Sequence, residues 1–417
     1  MSWLRQLSAR TIACGFPLLL AGVLSASDWP QILGPQRSGQ AEGETLAANW
    51  TSAGPKKLWT YKLGSGYAGP AIAAGKVVVF HRVAGRELVE ALDPASGKRL
   101  WSAGFEATYR PGIDPDNGPR AVPLIAGKRV FVFGAAGDLR AVSLADGQPL
   151  WERHLYADYE GDEGYFGAAS TPILIGERLL VNVGGPGAGI VAVDPATGKT
   201  LWQASDEGAS YSSPTAVTLG GKEQAIFITR MNCVLADPAT GKVLALFPFG
   251  RRGPTVNGAT PLVFGDKLFV TSSYGVGAQY ATLGPAGAKE IWANDDAMSS
   301  QYSTPVEHQG FLYGTHGRED QGVAELRSIE AATGKVRWRQ TDYGVAHVIL
   351  AGDKLLLVGV GGRLALARAS PAKYEELARF PLGNDPARAI PALSDGRLFV
   401  RTGSGGGKLH CLQVGPE

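Results

Sequence analysis

One phrase recurs along the chain and restricts its fold more than any other feature. It reads Asp93-Pro-Ala-Ser-Gly-Lys-Arg-Leu-Trp101, then Ala145-Asp-Gly-Gln-Pro-Leu-Trp151, then Asp194-Pro-Ala-Thr-Gly-Lys-Thr-Leu-Trp202. It returns at Asp237 to Ala245, Pro285 to Trp292 and Ala332 to Trp338, with a degenerate copy at Ser370 to Leu377. Asp-Pro opens a turn, because proline presets φ and the Asp oxygen can accept from nearby backbone N–H groups. The glycine closes the turn at positive φ, and the lysine heads a strand whose Trp offers a large flat surface for packing against a neighbouring sheet. Self-similarity at a fixed period is the mark of a repeat architecture.

A second phrase opens each unit: a small or hydroxyl residue, a proline, then an apolar strand. The prolines are Pro70, Pro123, Pro172, Pro214, Pro261, Pro305 and Pro391, with Ile349 taken as the stand-in of the seventh unit. From Pro70 to Pro391 the seven intervals average about 46 residues, within the ~40–50 of propeller blades. Alternating segments such as Lys76–Phe80, Arg129–Phe133 and Arg397–Arg401 read as strands. Each unit is therefore a four-stranded antiparallel blade. The eighth unit, from Ala389 to Val414, lacks its last strand, and the N-terminal Leu58-Trp-Thr-Tyr61 supplies it. The expected fold is all-β: an eight-bladed propeller closed by an N-terminal strand, which also eliminates a free sheet edge.

Composition agrees. There are 57 Gly and 26 Pro, yet 44% of residues are hydrophobic, so the chain is turn-rich and not disordered. With 40 basic against 38 acidic residues the formal net charge is +2, which gives no concentrated basic face for nucleic acid. Arg5 and Arg10, an apolar stretch from Ile12 to Leu24 and the small Ser25-Ala26-Ser27 form an export signal. Residues 1–27 are the expected signal peptide, 28–55 an N-terminal extension and 56–417 the propeller. Thr11 stands where a lipobox wants Leu before Cys14, so lipidation is not expected. No transmembrane span is expected after cleavage, and an uncleaved anchor is the rival reading. Cys233 and Cys411 fall in separate units and read as buried thiols, not a disulfide.

The two phrases resemble the PQQ-like repeats of a superfamily that has two kinds of member. Some are pyrroloquinoline-quinone (PQQ) dependent alcohol dehydrogenases, and others are cofactor-free propellers such as the BamB-type subunit of outer-membrane β-barrel assembly. Asp28-Trp-Pro with Gly34-Pro-x-Arg37-x-Gly39 resembles the opening of exported propellers of the cofactor-free kind. For an enzyme, the resemblance implies a quinone clamped by a Trp and a vicinal disulfide, Ca²⁺ on Glu, Asn and Asp oxygens, and an Asp base. The sequence has no vicinal cysteines and none of the insertions that build such a pocket, so no catalytic residue is carried over. The favoured reading is a periplasmic or secreted binding or scaffolding module, with no metal or cofactor and no enzymatic role. Its partner would be an envelope protein or a small molecule, and the chain itself a monomer. PQQ and calcium enter only under the alternative of a PQQ-dependent dehydrogenase; a carbohydrate-binding accessory protein is a third reading.

Two groups are candidate sites. Counting back two residues from each proline gives Ala68, Ala121, Ser170, Ser212, Ala259, Ser303, His347 and Ala389, small except for His347, whose imidazole is expected to titrate near neutrality. One place earlier stand Tyr67, Arg120, Tyr211, Tyr302 and Arg388, types enriched in binding hot spots. Together with His347 these form the expected axial mouth. The second group is the acidic loop of Asp158, Glu160, Asp162 and Glu163, a cation or basic-peptide site or simply a solvated loop. Asp114-Pro-Asp-Asn-Gly118 lacks the acidic twelfth position of a calcium loop and reads as a turn.

Overall fold

The prolines and the Trp-ending phrase do place the strands. The computed structural model describes residues 28–285, 287–403 and 405–416; the signal-peptide reading lies outside them. Within them are eight four-stranded antiparallel sheets, each made of four consecutive strands except the last. That blade joins Ala392–Ser394, Arg397–Thr402 and Lys408–Gln413 to the N-terminal strand Lys56–Lys62, in the order expected. Among the described residues no helix is long and apolar enough to cross a membrane.

Alternation along each strand sends every second side chain to one sheet face, and the core lies between adjacent blades. Phe131, Phe133 and Leu139 of the second blade meet Leu179, Val181 and Val191 of the third in one buried cluster. The third blade's other face, Leu180 and Ile190, packs on Phe227 and Val234 of the fourth. Full burial of such side chains stabilises by about 1.5–3 kcal/mol each.

The Trp of the repeated phrase docks onto the corresponding turn of the next blade. The Trp151 indole N–H donates to the Pro195 carbonyl at 3.1 Å, and its ring covers Gly198, where an added Cβ would lie 2.7 Å from the indole. The glycine thus has two reasons to be there: its φ of 71° and the ring above it. Trp59, Trp101, Trp202, Trp292 and Trp338 make the same indole-to-carbonyl bond. Each outer strand carries a bulge beside this position; Leu150, between the paired Pro149 and Trp151, is pushed out to 47% exposure.

Blade closure has its own polar lock. Tyr61 of the N-terminal strand donates to Glu90 of the first blade at 2.8 Å, and Glu90 also receives His81 and Arg99. Burial works against the Glu90 charge, but the bonds from His81 and Tyr61 outweigh it and hold its pKa at about 2.

The extension that precedes the propeller crosses one end of the ring. Trp29 bridges Ile72 of the first blade, and Gln40 bridges Leu350 of the seventh. Glu44 accepts from the Asp395 and Gly396 amides of the eighth. Between them Arg37 enters the channel, 2% exposed. Its guanidinium donates to the carbonyls of Thr171, Pro172 and Pro214 and to Gln31 Oε1. The segment therefore closes the channel at this end.

Candidate functional site

Strand pairing shows where each residue before an inner strand belongs. Inner-strand residues Ala71, Leu124, Ile173, Leu262, Val306 and Ala392 each follow a proline and pair with the third residue of the next strand. In the seventh blade Ile349 pairs with Leu356 in the same way, so Val348, not Ile349, occupies the proline position. The sequence register was one residue out there. A proline has no N–H and limits the inner strand; without one, the seventh inner strand runs back to Ala346. The eighth small residue of the ring is therefore Ala346, completely buried like its counterparts. Ser303 Oγ donates to its carbonyl as Ser212 Oγ does to that of Ala259.

His347 accordingly shares the place of Thr171, Ser213 and Thr304, whose hydroxyls accept from the preceding blade's amides. Its ring is 3% exposed, and its Nε2 lies 2.8 Å from the Arg388 carbonyl. Burial lowers its pKa. The expected titration near neutrality is shifted downward by that burial, and the ring holds the Arg388 loop through Nε2.

The residues three before the proline position converge as the register requires. Tyr67, Arg120, Tyr211, Tyr302 and Arg388 all line one cavity of about 770 Å³, with His347 beside them. Ile32 of the N-terminal extension also lines it, so the segment that seals the channel lies beneath a mouth open at the other end.

The mouth has two unlike sides. On the side of blades six to one, Arg388 bridges two carboxylates, Glu319 at 3.0 Å and Asp114 at 3.3 Å. Tyr302 donates to Glu319 at 2.7 Å and Tyr67 to Asp114 at 3.2 Å. Burial opposes the Arg388 charge, but Glu319 and then Tyr67 outweigh it, so its pKa stands above the ordinary arginine value. Burial, followed by the neighbouring Glu319, pushes Tyr302 well up. Arg318 pairs with Asp320 and lies 4.2 Å over the Tyr274 ring. The side formed by blades three to five is apolar and aromatic: Phe166, Tyr211, Pro254 and Val256. Phe166 and Tyr211 meet edge to face at 5.5 Å.

Sequence reasoning missed Asp114, Arg318, Glu319 and Asp320. Asp114 does make the expected turn, accepting from the Asp116 amide at 2.8 Å, but its other contacts belong to the mouth. Arg318 ends the strand Phe311–Arg318, and Glu319 and Asp320 open the turn after it, which no repeat phrase marks.

The acidic loop does not converge. Asp158 pairs with Arg153 at 2.7 Å, Glu160 ends a short helix in left-handed conformation, and Asp162 accepts from the Gly164 amide. Burial and then Asp162 raise the Glu163 pKa. The loop's next residues, Tyr165 and Phe166, are the ones that reach the cavity.

The donor set does not fit the quinone-and-calcium arrangement of the dehydrogenases. Cys233 and Cys411 are free and buried in separate blades. The mouth carboxylates face guanidiniums, and among the described residues no three His, Cys, Asp or Glu side chains converge to hold an ion.

The chain is 23% identical over 363 residues to the "outer membrane protein assembly factor BamB" of Burkholderia pseudomallei (strain K96243), covering 74% of this chain and 86% of that one. Its fold is that of BamB from Moraxella catarrhalis, with a TM-score of 0.62 at 15% identity over 85% of this chain and 97% of the other. It is also that of the quinohemoprotein alcohol dehydrogenase of Comamonas testosteroni, with a TM-score of 0.69 at 16% identity over 94% and 81%. At those identities both structures speak for the fold alone. A family model described as outer membrane protein assembly factor BamB matches residues 85–340, more than half of the chain, and this PQQ-like repeat protein belongs to that family.

Proposed function

We propose that the chain is a binding or scaffolding module of the cell envelope, and that it takes its partner at the blind axial mouth without a quinone cofactor. The observation that carries this is convergence: Tyr67, Arg120, Tyr211, Tyr302 and Arg388 come from separate blades and meet around one cavity floored by the N-terminal segment. A concave, partly apolar pocket with a few convergent polar groups is the usual form of a binding site. Ile113, 68% exposed at the same opening, adds an apolar edge for a partner. The name of the Burkholderia relative, an assembly factor for outer membrane proteins, supports a role that works by holding other molecules. The envelope setting rests on that name and on the export signal in the sequence.

The test is retention of envelope components on immobilised protein. Wild type and an outer-rim control, Leu150→Asp, are expected to retain the same components, and a Tyr302→Ala/Arg388→Ala double variant to lose them. Equal retention by the double variant overturns the proposal.

A further inference from the structure

We infer that the axial mouth recognises a neutral carbohydrate, a short oligosaccharide held between its aromatic and ion-paired sides. This rests on the reading of the mouth as the binding site and adds the class of ligand.

Charge balance is the first argument. The cavity is lined by three guanidiniums, Arg120, Arg318 and Arg388, and three carboxylates, Asp114, Glu319 and Asp320. The two more exposed arginines are already paired with those carboxylates, and Arg120 approaches Asp116 at 3.9 Å. A charged ligand would have to break one of these pairs and leave the other member uncompensated. An uncharged ligand need not.

The second argument is the kind of hydrogen bonding that remains. A sugar hydroxyl both donates and accepts, so it fits the junction of a carboxylate with a guanidinium, which offers an acceptor and donors side by side. Arg120 is nine-tenths buried at the mouth, its guanidinium held by the Gly118 and Asp116 carbonyls. The Tyr211 hydroxyl accepts from the Tyr165 and Phe166 amides, which leaves its own proton to donate outward.

Opposite this polar side, the Phe166 and Tyr211 rings and Val256 offer a surface for the C–H face of a pyranose. A pyranose has such a face on one side and hydroxyls around its edge, and the mouth repeats that division. The cavity volume of 770 Å³ lies within the range of ligand pockets. A peptide is less well served. Extended peptides bind by adding to a strand edge, and on two blades the inner-strand edge is already taken by Trp29 and Gln40.

The experiment is calorimetric titration of the purified chain with neutral trisaccharides and pentasaccharides of the malto-, cello- and N-acetylchito-series. Trigalacturonate and a capped aromatic tripeptide serve as charged and peptide probes. At least one neutral series is expected to bind with a Kd of about 1 mM or tighter, Phe166→Ala and Arg388→Ala each weakening it about tenfold or more. Leu150→Ala is expected to leave the affinity unchanged. Absence of binding by every neutral series, preference for the acidic or peptide probe, or binding indifferent to both mouth variants overturns the inference. If no sugar binds while the Tyr302→Ala/Arg388→Ala variant still loses its envelope components, the ligand class alone has failed. If that variant retains them, the mouth reading has failed as well.

Discussion

The Arg37 guanidinium donates to the Pro214 carbonyl at 2.7 Å, across 177 residues of sequence and inside the channel. Among the described residues no carboxylate pairs with it there; its acceptors are three backbone carbonyls and Gln31. Burial lowers its pKa to about 9, so it remains a cation at neutral pH. One side chain thus ties the N-terminal segment to the third and fourth blades and makes the mouth blind.

Arg37→Met is therefore expected to destabilise the chain by about 3 kcal/mol or more, since it leaves several buried carbonyls without donors. Arg37→Lys is expected to recover little, because an ammonium cannot reproduce the planar fork. Urea midpoints of the three proteins check this, and a full recovery by lysine would show that charge alone matters.

Gly198 is expected to be far less tolerant of alanine than Gly220. Both have positive φ, 71° and 56°, so each substitution carries the ~1–2 kcal/mol of left-handed backbone. Only at Gly198 does the new Cβ meet an indole, whereas nothing lies within 4 Å at Gly220. Overpacking adds about 1–3 kcal/mol. Equal unfolding midpoints for the two variants would remove the docking argument.

Acid should loosen the joint between the closing strand and the first blade. The Glu90 pKa is about 2 against an ordinary 4.5. A carboxylate depressed in the folded state contributes stability fully above its unfolded pKa, and loses it as pH falls through the folded value. Wild type is expected to lose stability between pH 4.5 and about 2, and Glu90→Gln to show a shallower acid limb, less stable at pH 7. Unfolding midpoints across that window decide it.

The two described cysteines are expected to stay unreactive in the folded protein. Both are buried, and burial raises the Cys233 thiol and pushes Cys411 up to about 12. Since the thiolate is the reactive form, alkylation mapped by mass spectrometry should label them only in denaturant.

The fold was legible because its two marks are chemical necessities, the proline repeated in seven blades and the Trp in six. Proline must stop short of the inner ladder, and a Trp needs a glycine turn to lie on. The same register placed Tyr67, Arg120, Tyr211, Tyr302 and Arg388 at one opening. It slipped at His347, where Val348 stands in the proline position and nothing in the local sequence marks it. Asp114 and Glu319 were out of reach because they lie on loops whose lengths and residues differ from blade to blade, and Arg318 because it ends a strand just before such a turn. Arg37 stands within a short motif, but its carbonyl acceptors are more than 130 residues away, and no local pattern points to them.

The central claim is that the mouth, and not the outer rim, meets the partner. A photo-crosslinking residue placed at Ile113, on the opening, or at Leu150, on an outer strand, compares the two in living cells. The account predicts discrete crosslinked species from Ile113, lost when Arg388→Ala is added, and none from Leu150. Crosslinks from Leu150 with none from Ile113 would contradict it.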